Sequence, residues 1–328
     1  MRIKIKRGQI QIDYLTFILS LCIVSLIVHF FSNHVDEGIV ESPKAELNES
    51  RNPGFCVDEE HQNCIPPFRK FDNKYRIAEK FNLAACVIEK SMSTVLAAIM
   101  CLLHDEQAFR LANRTLTTDM WENRFCKEKN EFNSVKTILT TTKRKLEDLT
   151  LFTIVRNPVD RFLSGFVDKC ILEKKRNLNP NKCYGCERNI TCFLQEEYQR
   201  AKKIASGGSL GWSYEDIHFF PQNWHCEMHT YIQYFKFINY RSKTKEEYSK
   251  MLEELGGLLL SSGVPGTLVD SVTSELKKTR TGHATVGVPE RIYFSKKLKS
   301  DKTAMDLLIK LYYYDFVLFG FPFPDVPR

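Results

Sequence analysis

Two short stretches combine charge and hydroxyls in a way that could hold an anion. The first is Glu89-Lys90-Ser91-Met92-Ser93-Thr94, at the end of the apolar run LAACVI (83–88). The first amides of a helix lack intrahelical acceptors, and the helix dipole leaves partial positive charge there. A phosphate fits such a place. Lys90 adds a full charge, and Ser91, Ser93 and Thr94 add hydroxyl donors. The plain alternative is an N-cap serine before a core helix. The spacing is not that of the G-x-x-x-x-G-K-[ST] phosphate loop.

The second stretch is Arg156-Asn157-Pro158, with Arg161 and Ser164 further on, after the apolar run LFTIV (151–155). Asn157 suits an N-cap, Pro158 the first helical position and Asp160 the first turn, so the helix start needs no ligand. Arg156 is different, because a charge at the end of a buried strand is unfavourable unless paired. An anion along the first turns could take a forked contact from Arg156 and a hydroxyl bond from Ser164. Pairing of Arg156 with Asp160 is the alternative. For proton transfer near neutral pH the chain offers His218, then His225 and His283. The alternative for His218 is a hydrogen-bonded histidine beside Trp224.

The elements that must position these groups alternate. LAACVI (83–88), LFTIV (151–155) and YIQYFKFI (231–238) read as strands. Residues 93–103, 158–175 and 246–259 read as helices, the last with Gly256-Gly257 near its end. The stretch 303–321 begins as an amphipathic helix and ends apolar and aromatic. This alternation predicts an α/β fold, a phosphate-loop-like central parallel sheet flanked by helices. Residues 176–215 read as a polar insertion.

The N-terminus predicts a membrane anchor. Arg2, Lys4, Lys6 and Arg7 precede an apolar stretch from Tyr14 to Phe31. Its length of roughly 27 Å matches the hydrocarbon thickness of a bilayer. The basic flank should stay cytoplasmic. A cleaved signal peptide would have a shorter apolar region ending in small residues, whereas His29-Phe30-Phe31 are bulky. The expected layout is a tail at 1–13, a transmembrane signal anchor at 14–31, a stem at 32–74 and a lumenal domain at 75–328. Sequons at Asn48, Asn113 and Asn189 fit that side. Of eleven cysteines, Cys22 lies in the span and ten lie outside, an even number suited to disulfides. Cys56 and Cys64 are placed to staple a small loop. Cys183, Cys186 and Cys192 could suggest zinc, but no second pair at zinc-ribbon spacing follows. With 43% hydrophobic and 12% aromatic residues the chain is not globally disordered. Its net charge of +7 suits an acidic ligand without identifying one. No nucleic-acid partner is expected.

Taken together, the two junctions resemble the Golgi carbohydrate sulfotransferases, especially the chondroitin, dermatan and N-acetylgalactosamine branch. Lys90-Ser91-Met92-Ser93-Thr94 looks like the loop with which that family holds the 5′-phosphosulfate of 3′-phosphoadenosine 5′-phosphosulfate (PAPS). Arg156-Asn157-Pro158, Arg161-Phe162 and Ser164-Gly165-Phe166 resemble its 3′-phosphate motif. Two further segments are similar to family segments: 216–226, with His218 and Pro221-Gln222, and 280–285 followed by Tyr312–Phe321. The resemblance covers roughly residues 80–322. Two positions depart from it: Met92 stands where Gly is common, and Glu89 where many relatives carry Pro. Met92 is expected in an allowed conformation with its side chain turned away.

The resemblance implies sulfuryl transfer from PAPS to a glycan hydroxyl, without a metal. It implies Lys90 as charge stabiliser, His218 as base, and Arg280 in a loop over the nucleotide. Asp315 is expected as a buried acceptor, with Tyr312–Phe321 as core. Lys169, Lys174, Lys175 and Arg176 are candidate rim cations for an acidic polysaccharide. A lumenal phosphate-loop sugar kinase and a non-catalytic glycan-binding protein on the same scaffold remain the alternatives.

Overall fold

The computed structural model describes residues 56, 64–173, 179–211, 213–278 and 287–327, all within the 48–328 unit of the chain. Five strands form one sheet among them: Tyr75–Ala78 (β1), Leu83–Cys86 (β2), Glu131–Phe132 (β3), Thr150–Arg156 (β4) and Phe235–Tyr240 (β5). Their spatial order is β3-β1-β2-β4-β5. β2, β4 and β5 are parallel. β1 runs antiparallel to β2 and to β3, so the expected parallel sheet is a mixed one. The cause is local. Only a tight turn through Glu79–Phe81 and left-handed Asn82 separates β1 from β2. So short a link makes a hairpin, whereas a parallel crossover needs about a dozen residues.

The helices are Ser93–His104 (α1), Glu106–Leu111 (α2), Val135–Thr142 (α3), Pro158–Gly165 (α4), Ile190–Ala205 (α5) and Tyr214–Phe219 (α6). Met228–Tyr231 (α7), Lys245–Ser261 (α8), Gly266–Lys278 (α9), Pro289–Ser300 (α10) and Lys302–Leu318 (α11) follow. Both faces of the central strands are covered, which is why β2 and most of β4 read as apolar runs. In β4, Phe152 and Ile154 pack with α1, α8 and α9, while Leu151 and Val155 pack on the opposite face with Val135 and Ile138 of α3. A third core lies beside the sheet, where Phe162, Phe166, Phe193, Phe219, Tyr312 and Phe316 meet.

Local chemistry sets the ends. Asn157 Oδ1 accepts from the amides of Val159 and Asp160, with Pro158 at the first position of α4. Asn189 Oδ1 does the same for Thr191 and Cys192 at the start of α5, and the Thr191 hydroxyl donates to Asp301. α8 begins with a Thr244/Glu247 capping box.

Several boundaries differ from expectation. The helix from Pro158 stays α only to Gly165 and widens into a π-helical segment, Phe166–Leu172. α8 runs past Gly256-Gly257, because a Cβ at Gly256 would sit 3.3 Å from Val269 of α9; the small residue permits close packing rather than ending the helix. β5 starts at Phe235, since residues 228–234 form helical turns. The supposed polar insertion contains α5, anchored by buried Ile190, Phe193, Leu194 and Ala201. Residues 64–74, expected in the stem, are tied to the domain. Ile65 N donates to Lys310 O, Trp224 Nε1 to Pro66 O and Phe68 N to Asn223 Oδ1.

Five disulfides join the ten cysteines outside the expected anchor: Cys56–Cys64, Cys86–Cys226, Cys101–Cys126, Cys170–Cys183 and Cys186–Cys192. The zinc reading of Cys183, Cys186 and Cys192 is thereby excluded. The tail, the anchor at 14–31, Asn48, Lys174, Lys175, Arg176, Arg280 and His283 lie outside the described residues. No helix of the described residues is long and apolar enough to cross a membrane.

Candidate active site

The two junctions meet. β2 and β4 are neighbours, with Cys86 paired to Thr153, so the loops at their carboxyl ends share one edge of the sheet. Ligands of open α/β sheets bind at that edge. Arg156 Nη1 donates to the carbonyl of Lys90 at 2.9 Å, which ties the second junction directly to the first. The parallel register sets Arg156 beside Tyr240, and its guanidinium lies 4.8 Å from that ring. Asp160, the alternative partner for Arg156, is instead paired with Arg291 at 2.8 Å. Arg156 is buried, and among the described residues its Nε has no hydrogen-bond partner. Burial pulls its pKa down to about 10, so it remains charged at neutral pH.

The first loop is shaped by its backbone. Lys90 and Met92 are left-handed at φ 66° and 64°, and Ser91 between them is not. Such alternation builds an anion-binding concavity from successive amides. Met92 therefore takes the conformation that glycine favours, at roughly 1–2 kcal/mol, and its side chain packs on the core beneath α1. Among the described residues, the amides of Met92, Ser93, Thr94 and Val95 have no acceptor.

Gln222 holds the two junctions in register. Its Oε1 accepts from the Ser91 hydroxyl and the Arg156 amide, and its Nε2 donates to the Arg156 carbonyl. Asp315 in turn accepts from the amides of Gln222 and Asn223 and from Asn223 Nδ2. Asp315 is thus the expected buried acceptor.

A cavity of about 370 Å³ opens beside the loop. Lys90, Ser93, Thr94, Asp168, Lys169 and His218 are among the residues that line it. Lys90 Nζ is 2.7 Å from Asp168 Oδ2. His218 lies on α6, with its ring 4.5 Å from that of Tyr214. Its Nδ1 donates to the Tyr214 carbonyl at 2.7 Å, which leaves the lone pair on Nε2. Burial, then the Lys90 charge, holds its pKa well below the usual histidine value. The ring is neutral, with Nε2 unprotonated.

The chain as a whole is similar to known proteins. Residues 73–322 match the model of the sulfotransferase family. The chain is 33% identical to carbohydrate sulfotransferase chst-1 of Caenorhabditis elegans over 261 residues, 79% of each chain. It is 35% identical to the uncharacterized protein C18B2.2 of the same organism over 276 residues, 83% of this chain and 75% of that one. The chain belongs to the sulfotransferase family. No solved structure matches it.

Within this sulfotransferase not every anticipated residue reaches the cavity. Ser91 is buried, its hydroxyl committed to Gln222 and its amide to the Ile88 carbonyl, so it has no free donor. Arg161 is also buried, with Nε on the Glu89 carbonyl and Nη1 on the Phe220 carbonyl; it braces two loops. Ser164 is buried on α4. His225, the second base candidate, is 1% exposed, packs edge-on to Phe71 and is not part of the cavity lining. Glu89 does not oppose an anion alone, because it pairs with Lys74, which also pairs with Asp72. Asp72, Glu89 and His225 bring ligand atoms within 4.8 Å of one another, but Lys74 already occupies their charge.

Three residues escaped the sequence reading. Asp168 carried a signal, since it follows Ser164 by four residues within the stretch that reads as one helix, 158–175. Gln222 sat in a noted segment without a role. Trp121, on the cavity wall beneath the guanidinium groups of Arg76 and Arg124, had no signal at all.

Proposed function

We propose that the protein transfers a sulfuryl group from PAPS to a hydroxyl of a glycan, with N-acetylgalactosamine of chondroitin as acceptor. One observation carries the reading: Arg156 donates to the carbonyl of Lys90 from a separate junction, and Lys90 and His218 line one cavity. The name of the relative chst-1 supports a carbohydrate acceptor. The residues fit such a donor. Four acceptor-less amides and the unpartnered, buried Nε of Arg156 leave donor capacity for phosphate.

Each residue then has a part. Ser93, Thr94 and the amides of the loop hold the 5′-phosphate. Arg156 holds the 3′-phosphate, with Ser164 buried on the helix that follows it and Arg280 over the nucleotide. Lys90 steadies the negative charge that grows on the bridging oxygen as its bond to sulfur breaks. The acceptor oxygen forms the new bond to sulfur, and its proton passes to Nε2 of His218. Positioning and charge stabilisation dominate, as in phosphoryl transfer. The reading includes a Golgi setting, with the domain lumenal behind an anchor at 14–31 and carbohydrate on the sequons.

The test incubates the soluble domain with labelled PAPS and a panel of desulfated glycans, followed by disaccharide analysis, with ATP in parallel. Label on chondroitin from PAPS is the expected outcome. Phosphate transfer from ATP would make the protein a sugar kinase. Chondroitin binding without affinity for 3′-phosphoadenosine 5′-phosphate (PAP) would make it a binding protein. Arg156→Ala should weaken PAP binding about tenfold to a hundredfold by calorimetry; wild-type affinity would remove the 3′-phosphate assignment.

A further inference from the structure

We propose that Asp168 is a positioning residue that aims the Lys90 ammonium and keeps it charged for transfer. The proposal rests on the sulfuryl-transfer reading above. Lys90 Nζ and Asp168 Oδ2 are 2.7 Å apart, and their side chains are 9% and 6% exposed. An ammonium so enclosed is unfavourable unless paired and hydrogen-bonded. Burial pulls the pKa of Lys90 below its ordinary value, and the Asp168 carboxylate opposes that pull.

The surroundings leave this work to Asp168. Lys169 on the π-helical segment and Arg156 on β4 repel the Lys90 charge. Glu89 on the loop and Lys74 just before β1 are paired with each other. On α6, His218 is neutral. Glu122, on the far wall of the cavity, is exposed. Asp168 is itself backed by a chain of alternating charge. Lys169 lies 3.3 Å from it and 3.5 Å from Glu173, and Lys182 lies 2.6 Å from Glu173. Asp168 sits on the π-helical turn that follows α4, a feature that often marks functional positions.

The experiment reads Lys90 directly. Competitive labelling with acetic anhydride across pH, followed by mass spectrometry, reports the fraction of neutral amine at Lys90, with exposed Lys236 as the internal reference. An opposite charge this close is worth about 1–3 pKa units. Asp168→Asn should therefore lower the midpoint for Lys90 by about that much and raise its labelling at pH 8 about tenfold or more, leaving Lys236 unchanged. Asp168→Glu should behave like the wild type, and Asp168→Ser serves if the amide variant does not fold. In the transfer assay, the alkaline limb of the kcat/KM profile should move to lower pH in Asp168→Asn. An unmoved Lys90 midpoint overturns the proposal, as does a kcat loss that is uniform across pH. If the wild type transfers nothing from PAPS while the labelling shift is present, the sulfuryl-transfer reading fails and the Lys90–Asp168 coupling stands.

Discussion

A histidine whose Nδ1 is committed to a carbonyl has its tautomer chosen for it, and His218 is in that position. Replacing it by Ala should lower kcat by about 10²- to 10⁴-fold, the usual reach of a positioned base. PAP affinity should hold, because no nucleotide contact is assigned to the ring; near-normal turnover would place the base elsewhere. At this scale the sequence was informative where a residue type conflicted with its neighbourhood. Arg156 stood out because a charge at the end of LFTIV demanded a partner. Ser91 and Arg161 looked equivalent to their neighbours, yet they serve the loops rather than the cavity. Their roles depend on which way a side chain leaves the backbone, and left-handed turns at Lys90 and Met92 are not legible from residue types that ordinarily avoid them.

At the scale of elements, α4 and α6 touch through Gly165. A Cβ there would meet the ring of Phe219 at 2.7 Å and 2.9 Å. Phe219 is fully buried, so the ring cannot step aside. Gly165→Ala should cost about 1–3 kcal/mol, as overpacking does, read from the midpoint of chemical denaturation. It should also reduce turnover, because α6 carries His218. Wild-type stability would mean that the two helices separate freely. The parallel strands and their helices were legible from apolar runs followed by cap residues, as with Asn157-Pro158 before α4. The β1–β2 hairpin was not, since its strands are four residues each and lack a strong turn dipeptide. The π-helical turn had no sequence mark. Phe166 at its start packs against Phe162 and Phe193.

For the whole molecule, Cys86–Cys226 ties the end of β2 to a segment 140 residues away. Closing so long a loop restricts the unfolded chain, and removing such a bridge costs about 2–5 kcal/mol. The double variant Cys86→Ala/Cys226→Ala should show that loss in equilibrium denaturation; an unchanged midpoint would mean the bridge does not form. Stability should also depend on pH through Glu197. Burial, then Asp216, raises its pKa to about 8, and Tyr184 donates to it at 2.5 Å. A raised folded pKa gives stability that is full below the unfolded value of about 4.3 and is lost as pH rises through about 8. Glu197→Gln, always neutral, should gain on the wild type as pH is raised from 5 to 9. Parallel stability curves would show that the carboxyl is ionised throughout.

The start of α5 bears on how carbohydrate at Asn189 could be studied. The side-chain oxygen caps the helix while the amide nitrogen, where a sugar would attach, makes no hydrogen bond among the described residues. Asn189→Gln, the usual way to strip a sequon, would therefore also unpick the helix start. Thr191→Ala would cut the tie to Asp301 instead. If Asn189 carries a sugar, enzymatic trimming leaves both contacts in place and so separates the influence of a glycan from that of the residues.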